Sequence, residues 1–495
     1  MSSQLPVLVV IVPLLAAFGI SVVGWMAPRF CFPLALAAMA TAFWATVQLL
    51  QTVMAIGPVD YYLGGWPPPV GIAYRIDFLN GLVLVAVAGT ALLALVGIKR
   101  RVDLDFPDRK GAFYTLYVLF VTGLFGILST ADAFNLYVLL EIASLTGYAL
   151  IGMGRDRAAL AGLNYVFMGT IGASLYLLGI GYLYLMTGTL NMADLASRLP
   201  ALYDSRVVVF AFFLCMTGLF VKMAVFPLHV WLPAAYAESS SAASIVIAPL
   251  TTKVMVYVMI RISLTVFTPD FTFETLQVAD AVVWLATLAI VAASLLALAQ
   301  TRLKWMLAYI VVAEVGYMVG GFWLGNRDGI TGAILHIVND AAMTLCVFLA
   351  AGAIVSRTRS DQFSRLTGLF RRMPWTLAAL AAGALSIIGV PPTCGFFSKW
   401  YLISGGAAAG HYHYVAALLF SSLVNVILFF RIFEICHFEP FDAHDGHHEA
   451  PAMAEAPGTM LAPLLVVAVV LVVLGLYAGD IVTHIIRHAI PLTVI

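Results

Sequence analysis

Charge is scarce in this chain. Of its 495 residues only 10% are Asp, Glu, Lys or Arg, the two signs cancel at 25 each, and 62% are hydrophobic. So little polar surface cannot cover a soluble domain of this length. The balanced charge and the lack of a basic stripe argue against nucleic acid as a partner. The five cysteines, Cys31, Cys215, Cys346, Cys394 and Cys436, are scattered without a CxxC, so neither a disulfide framework nor an iron–sulfur centre is indicated. No G-x-x-x-x-G-K-[ST] run occurs, which leaves an ion gradient or partner subunits as the energy source. No cofactor and no metal site is expected. Period-two alternation is missing as well: runs such as LLVVAVVLVVLGLY do not alternate, which removes the β-barrel.

Long apolar runs are what the chain has in abundance. They predict an all-α polytopic membrane protein with about 14 transmembrane helices, near 5–25, 31–55, 77–97, 113–130, 133–153, 160–186, 206–225, 243–267, 278–299, 306–324, 330–355, 374–403, 412–435 and 460–478. The opening MSSQLPVLVVIVPLL has no basic flank and reads as a retained first span. Residues 57–74, rich in Gly and Pro, read as an external turn or hairpin, and Asp480–Ile495 as an interfacial segment. With the N-terminus outside, sixteen Lys and Arg residues fall in cytoplasmic loops, Lys304 among them, and six fall outside. Both termini are then external, in the cell inner (plasma) membrane.

The remaining three cations, Lys222, Lys253 and Lys399, lie at membrane depth. An ammonium there costs at least about 2.5–3.5 kcal/mol, so its retention points to use. Lys222 precedes Pro227 by five residues and Lys399 follows Pro391-Pro392 by seven. Each proline withdraws a donor and frees the carbonyl four residues back, so helices 7 and 12 are expected to be discontinuous, with polar backbone facing a wet interior. The two breaks are five spans apart, which places them in two inverted five-helix repeats. The corresponding divisions are 1–112 for helices 1–3, 113–267 for the first repeat, 278–435 for the second, and 436–495 for a His-rich loop and helix 14. Structural kinks with incidental lysines are the plainer reading.

Glu141, inside span 5, needs a partner, and Lys222 is the expected one. At an effective dielectric of about 20, opening such a pair from ~4 to ~12 Å weakens it from ~4 to ~1.4 kcal/mol, about two powers of ten in the lysine's hold on its proton. A static buried ion pair is the alternative. Lys253 follows Pro249, which frees the Ile245 carbonyl beside it. Glu314 occupies span 10, and His336 and Asp340, four apart on span 11, share a face suited to relaying protons; a satisfied core histidine is the alternative. His229 either lines the break in span 7 or caps it. The late loop with His437, His444, His447 and His448 lacks ligand spacing and reads as solvated rather than metal-binding.

The stretches NLYVLLEIASLTGYALIG, VKMAVFPLHVWLPAAYAESSSAAS, TKVMVYVMIR, QTRLKWMLAY and GVPPTCGFFSKW resemble the antiporter-like membrane subunits shared by Mrp-type Na⁺/H⁺ antiporters, respiratory complex I and membrane-bound hydrogenases. The resemblance covers residues 70–440. Thr252-Lys253 and the terminal Lys399 are most similar to the D-type Mrp subunits. It implies a fourteen-helix fold with two inverted halves joined by a polar axis. In it Glu141 matches the span-5 glutamate, Lys222 the broken-helix lysine, Lys253 the connecting lysine and Lys399 the terminal one. The chain departs where relatives carry His or Gln at Glu314, and His-Ala-x-x-Lys where Asp340 to Thr344 stand. The acid that usually follows WLP is also missing here, with Ala234 in its place.

The function so implied is a proton/cation-translocating subunit of a multi-subunit Mrp-type antiporter, moving protons along a buried Glu/Lys/His axis beside other membrane subunits in the lipid bilayer, with Na⁺, K⁺ or H⁺ alone left open as the ion that moves. The alternative is a proton-pumping subunit of a redox complex, similar to complex I or a membrane-bound hydrogenase. An anion or inorganic-carbon uptake system is a third option.

Overall fold

The computed structural model describes residues 4–438 and 455–491. Helices account for nearly all of it: α1 (Leu5–Met26), α2 (Cys31–Ile56), α3 (Phe78–Asp105), α4 (Lys110–Ser129), α5 (Ala133–Gly152), α6 (Ala158–Thr187), α7 (Met192–Arg198), α8 (Arg206–Met223), α9 (Trp231–Glu238), α10 (Ser241–Ile247), α11 (Thr251–Arg261), α12 (Ala279–Leu298), α13 (Leu303–Trp323), α14 (Arg327–Thr358), α15 (Leu369–Arg372), α16 (Pro374–Ile388), α17 (Cys394–Ala408), α18 (Tyr412–Phe438) and α19 (Gly458–Leu476). Thirteen of the described helices are long and apolar enough to cross a membrane, α10 and α11 counting as one with the π-turn Ile262–Val266. The expected span 374–403 is taken up by α16 and α17, two helices of 15 residues each, of which α16 is a shorter apolar helix. The chain is a polytopic all-α membrane protein.

Polar caps set the helix starts. Asp77 accepts from the Leu79 and Asn80 amides while Asn80 returns a bond, a capping box that opens α3. Asp132, Asn191, Ser205, Ser240 and Asn326 cap α5, α7, α8, α10 and α14 with side-chain oxygens. The Gly- and Pro-rich segment closes as an antiparallel hairpin of β1 (Val59–Tyr62) and β2 (Ala73–Ile76), as the sequence suggests.

Burial divides the helices. α1, α2, α6 and α19 expose most of their apolar surface, whereas α14 and the α10–α11 span are enclosed by protein throughout. The two enclosed spans carry Lys253 and Asp340, so those charges are packed among helices rather than facing hydrocarbon. His444, His447 and His448 lie outside the described residues. All five cysteines are buried, and Cys31, Cys215, Cys346 and Cys394 are free thiols.

Candidate functional site

The first break follows Lys222. α8 ends at Met223, Ala224 takes a left-handed φ of 61°, and the chain resumes as α9 at Trp231. Trp231 bridges the gap: its indole N–H donates to the Val221 carbonyl at 3.0 Å and its ring stacks on Tyr165 at 3.9 Å. Lys222, 3% exposed, points at α5. Its Nζ donates to Ser144 Oγ at 2.7 Å and Tyr148 OH at 3.3 Å, with Glu141 Oε1 at 3.8 Å. Glu141, Ser144 and Tyr148 recur at three and four residues, one face of α5. The expected Glu141–Lys222 pair is therefore present, but as a longer contact behind two hydroxyls. Close approach of α6 makes this possible: a Cβ on Gly218 would sit 2.5 Å from the Gly172 carbonyl.

The second site is in the enclosed core. Pro249 ends α10, and Lys253 on the first turn of α11 forms an ion pair with Asp340 Oδ2 at 3.0 Å and donates to Thr344 Oγ1 at 3.1 Å and to the Ala248 carbonyl at 3.4 Å. The carbonyl it uses is that of Ala248, three residues beyond the one expected from Pro249. Thr344 in turn donates to Asp340 Oδ1 at 2.7 Å, so one hydroxyl closes a ring of acid, amine and alcohol. Lys253 and Asp340 are both fully buried. Asp340 thus serves Lys253 and makes no hydrogen bond to His336, against the expected His-Asp relay. The His336 Nδ1 pairs with Ser398 Oγ at 2.9 Å, and its Nε2 has no partner.

At the third site both freed carbonyls are used. Pro391 and Pro392 release Ile387 and Ile388, and Lys399 donates to these two oxygens at 2.7 and 3.3 Å and to Ser422 Oγ at 2.9 Å. Gly389 permits the bend with φ of 94°, and a side chain there would also press on Lys399. The Tyr317 ring lies 5.1 Å from the ammonium, with its hydroxyl on Ser421 at 2.5 Å. Glu314, buried on α13, faces Asp340, Lys253 and Lys399, yet no hydrogen bond of good geometry reaches either of its oxygens. It therefore stands between the second site and the third.

A cavity with about 10 Å³ of free space, room for one water, is lined by Ser144, Tyr165 and Lys222 on one side and by Thr251 and Met255 of α11 on the other. It connects the first site with the helix of the second. His229 is buried against Phe226 and Tyr309 in the break after α8, its Nδ1 unpartnered. Among the described residues no cluster of three or more His, Cys, Asp or Glu is arranged to hold a metal.

Sequence reasoning missed Ser144, Tyr148, Thr344, Tyr317, Ser398 and Ser422, the hydroxyls that connect the charged groups. Ser144 and Tyr148 could have been found from their spacing to Glu141; the others come from different helices and carry no local signal. It also misplaced Lys304. Expected in a cytoplasmic loop, Lys304 is in the first turn of α13 and 6% exposed, because α13 begins three residues earlier than its apolar run.

A family profile described as NADH:quinone oxidoreductase/Mrp antiporter, TM matches residues 130–425, a span that holds every group above. The chain is 42% identical over 501 residues to the N-type subunit of the NADH-quinone oxidoreductase of Desulforudis audaxviator (strain MP104C), covering 99% of each. It is 30% identical over 386 residues to the D-type subunit of the Na(+)/H(+) antiporter of Bacillus subtilis (strain 168), covering 78% of this chain and 77% of that one. Among solved structures, a chain of the membrane-bound sulfane sulfur reductase, an archaeal respiratory membrane complex, superposes with a TM-score of 0.88 at 28% identity over 97% of both. The profile match and the end-to-end identity agree: the chain belongs to the NADH:quinone oxidoreductase/Mrp antiporter family of multi-pass membrane proteins.

Proposed function

We propose that this chain is a proton-translocating membrane subunit of a multi-subunit respiratory-type complex. Glu141, Lys222, Lys253 and Lys399 carry the proton, and Asp340, Glu314, His336 and His229 line its way. The observation that carries this reading is the Lys253–Asp340 pair, 3.0 Å long and fully buried in the enclosed helices between two broken ones. A buried ion pair adds little net stability over apolar packing, so its presence argues for charge handling.

Protons step between neighbours. When Glu141 swings away, Lys222 loses its counter-charge and gives up a proton toward the water-sized cavity and α11. Arrival of charge beside Lys253 loosens Asp340, Glu314 passes the proton on, and Lys399 discharges it from its cradle of carbonyls. The two breaks, each beside a buried lysine, support reading 113–267 and 278–435 as inverted halves. The Lys and Arg distribution supports both termini outside the plasma membrane.

The 42% identity to an oxidoreductase subunit supports a redox-driven host, so the second of the two sequence-derived functions has the better support. Cation/proton antiport of the Mrp type is the other reading, favoured by the 30% identity to the antiporter protein of Bacillus subtilis; the same axis would serve it. Purification of the tagged chain from its native membrane separates them, flavin or iron–sulfur subunits selecting the redox host. Lys222→Ala should abolish proton movement into vesicles with assembly intact. Undiminished movement would remove the proposed role.

A further inference from the structure

At the middle of the axis three buried acceptor atoms are one hydrogen short. Glu314 on α13 and Asp340 on α14 are both enclosed by protein. Neither Glu314 oxygen receives a hydrogen bond of good geometry from an N–H or O–H, and Asp340 Oδ2 receives none either. What Glu314 meets at hydrogen-bonding range is the Asp340 carboxyl itself. A buried acceptor left without a hydrogen is a costly state. Two carboxyl groups can bond one another only if one of them carries a proton.

The neighbouring donors are already committed. An ammonium has three hydrogens. Lys399 places its own on the Ile387 and Ile388 carbonyls and on Ser422 Oγ. Lys253 turns its own to Asp340, Thr344 and the Ala248 carbonyl. Among the described residues no Lys, Arg or His lies within ion-pair distance of Glu314. His336, one turn before Asp340, pairs Nδ1 with Ser398 Oγ while its Nε2 bonds nothing, and Tyr317, one turn after Glu314, donates its hydroxyl to Ser421.

We propose that Glu314 and Asp340 form an acid dyad that keeps one proton in store at the middle of the axis, with Glu314 the neutral acid whose O–H donates to Asp340. The presence of that proton rests on the packing alone; its use rests on the reading of this chain as a proton-translocating subunit. The store lets Lys253 discharge without leaving a bare charge in the interior. One N–H bond of the ammonium breaks, the proton crosses the 3.0 Å contact to Asp340 Oδ2, and the electron pair stays on Nζ. An ion pair thereby becomes a neutral amine beside two neutral acids. With Glu314 ionised, the same step would strand its charge among apolar helices. An ionised Glu314, held by the charge of Lys399 alone, is the structural counterpart.

Infrared difference spectroscopy separates the two, because the carbonyl stretch of a protonated carboxyl stands apart from the carboxylate bands and moves on exchange into D₂O. Wild-type and Glu314→Gln complexes are compared, assembly is followed by native gel, and proton uptake is read in inverted vesicles with Lys222→Ala as reference. Gln keeps the shape and offers an amide N–H to Asp340, but cannot release that hydrogen. The expected result is normal assembly, loss of a protonated-carboxyl band, and uptake lowered by about 10²-fold, the scale of a lost acid–base group. If Glu314→Gln loses only carboxylate bands, Glu314 is ionised and the proposal fails, although the axis stands where Lys222→Ala is silent. Loss of the acid band with wild-type uptake would overturn the store as a working part of the axis. Wild-type uptake by Lys222→Ala would overturn the axis and the use of the proton together, the band still deciding whether the dyad holds one. Should Glu314→Gln not assemble, Glu314→Asp decides by the same band, a displaced acid band supporting the dyad and an unchanged one overturning it.

Discussion

Replacing Asp340 by Asn keeps the shape of the central site and deletes one charge. Thr344 can still bond residue 340, since Asn retains the carbonyl oxygen that accepts its hydroxyl at 2.7 Å. The loss is electrostatic. At 3.0 Å and an effective dielectric of about 20, the pair attracts by roughly 5–6 kcal/mol, and stripping one partner from a buried pair costs about 3–5 kcal/mol of stability. Neither group is exposed, so water cannot make up the difference. Asp340→Asn should therefore lower both the thermal midpoint of the purified complex and its proton uptake in vesicles. Lys253→Met/Asp340→Leu removes both charges, and apolar replacement of a whole pair is neutral or stabilising by about 1–4 kcal/mol. The double variant is expected to regain the midpoint and remain silent in uptake. Two results would refute the reasoning: wild-type uptake by Asp340→Asn, or a double variant as unstable as the single one with no uptake to separate the effects.

Gly218→Val should push α6 from α8, because its Cβ would meet the Gly172 carbonyl at 2.5 Å and the Tyr176 amide at 2.8 Å. Overpacking of this kind costs about 1–3 kcal/mol, and uptake should fall as Lys222 leaves Ser144; Gly181→Ala, which meets nothing within 4 Å, is the neutral control in the same assay. At the N-terminal end of α3, burial pushes the Asp77 carboxyl up, but the Arg261 guanidinium at 2.6 and 2.8 Å and the Asn80 and Leu79 amides outweigh it and hold Asp77 below the usual carboxylate range. Its stabilisation is thus present above the unfolded value of about 4 and lost as pH falls through the lower folded value. Arg261→Met should lower stability at neutral pH and flatten its decline on acidification, measured as the unfolding midpoint against pH.

Much of the fold was legible because a helix in hydrocarbon must satisfy its own backbone, so every crossing leaves an apolar run of fixed length. Most of the expected spans match helices to within three residues, but α3 runs on eight residues past its expected end to Asp105, and the span split at Pro391-Pro392 runs on five, to Ala408. The prolines also foretold chemistry: the carbonyls they free at Ile387 and Ile388 are the ones Lys399 takes. Lys304 was misread because a lysine at the polar end of an apolar run looks the same whether it faces water or the underside of α9.

The sequence by itself determined that this protein spans a membrane many times, where its helices break, and which amines lie at depth, because each is a property of one segment in contact with lipid or with its own backbone. Partner choice was decided only in three dimensions. That Asp340 pairs with Lys253 instead of His336, that Thr344 closes the ring, and that Glu314 faces Lys399 depend on how α11, α13, α14 and α17 pack. Residues up to 91 positions apart meet there, and no local pattern records a contact made between helices.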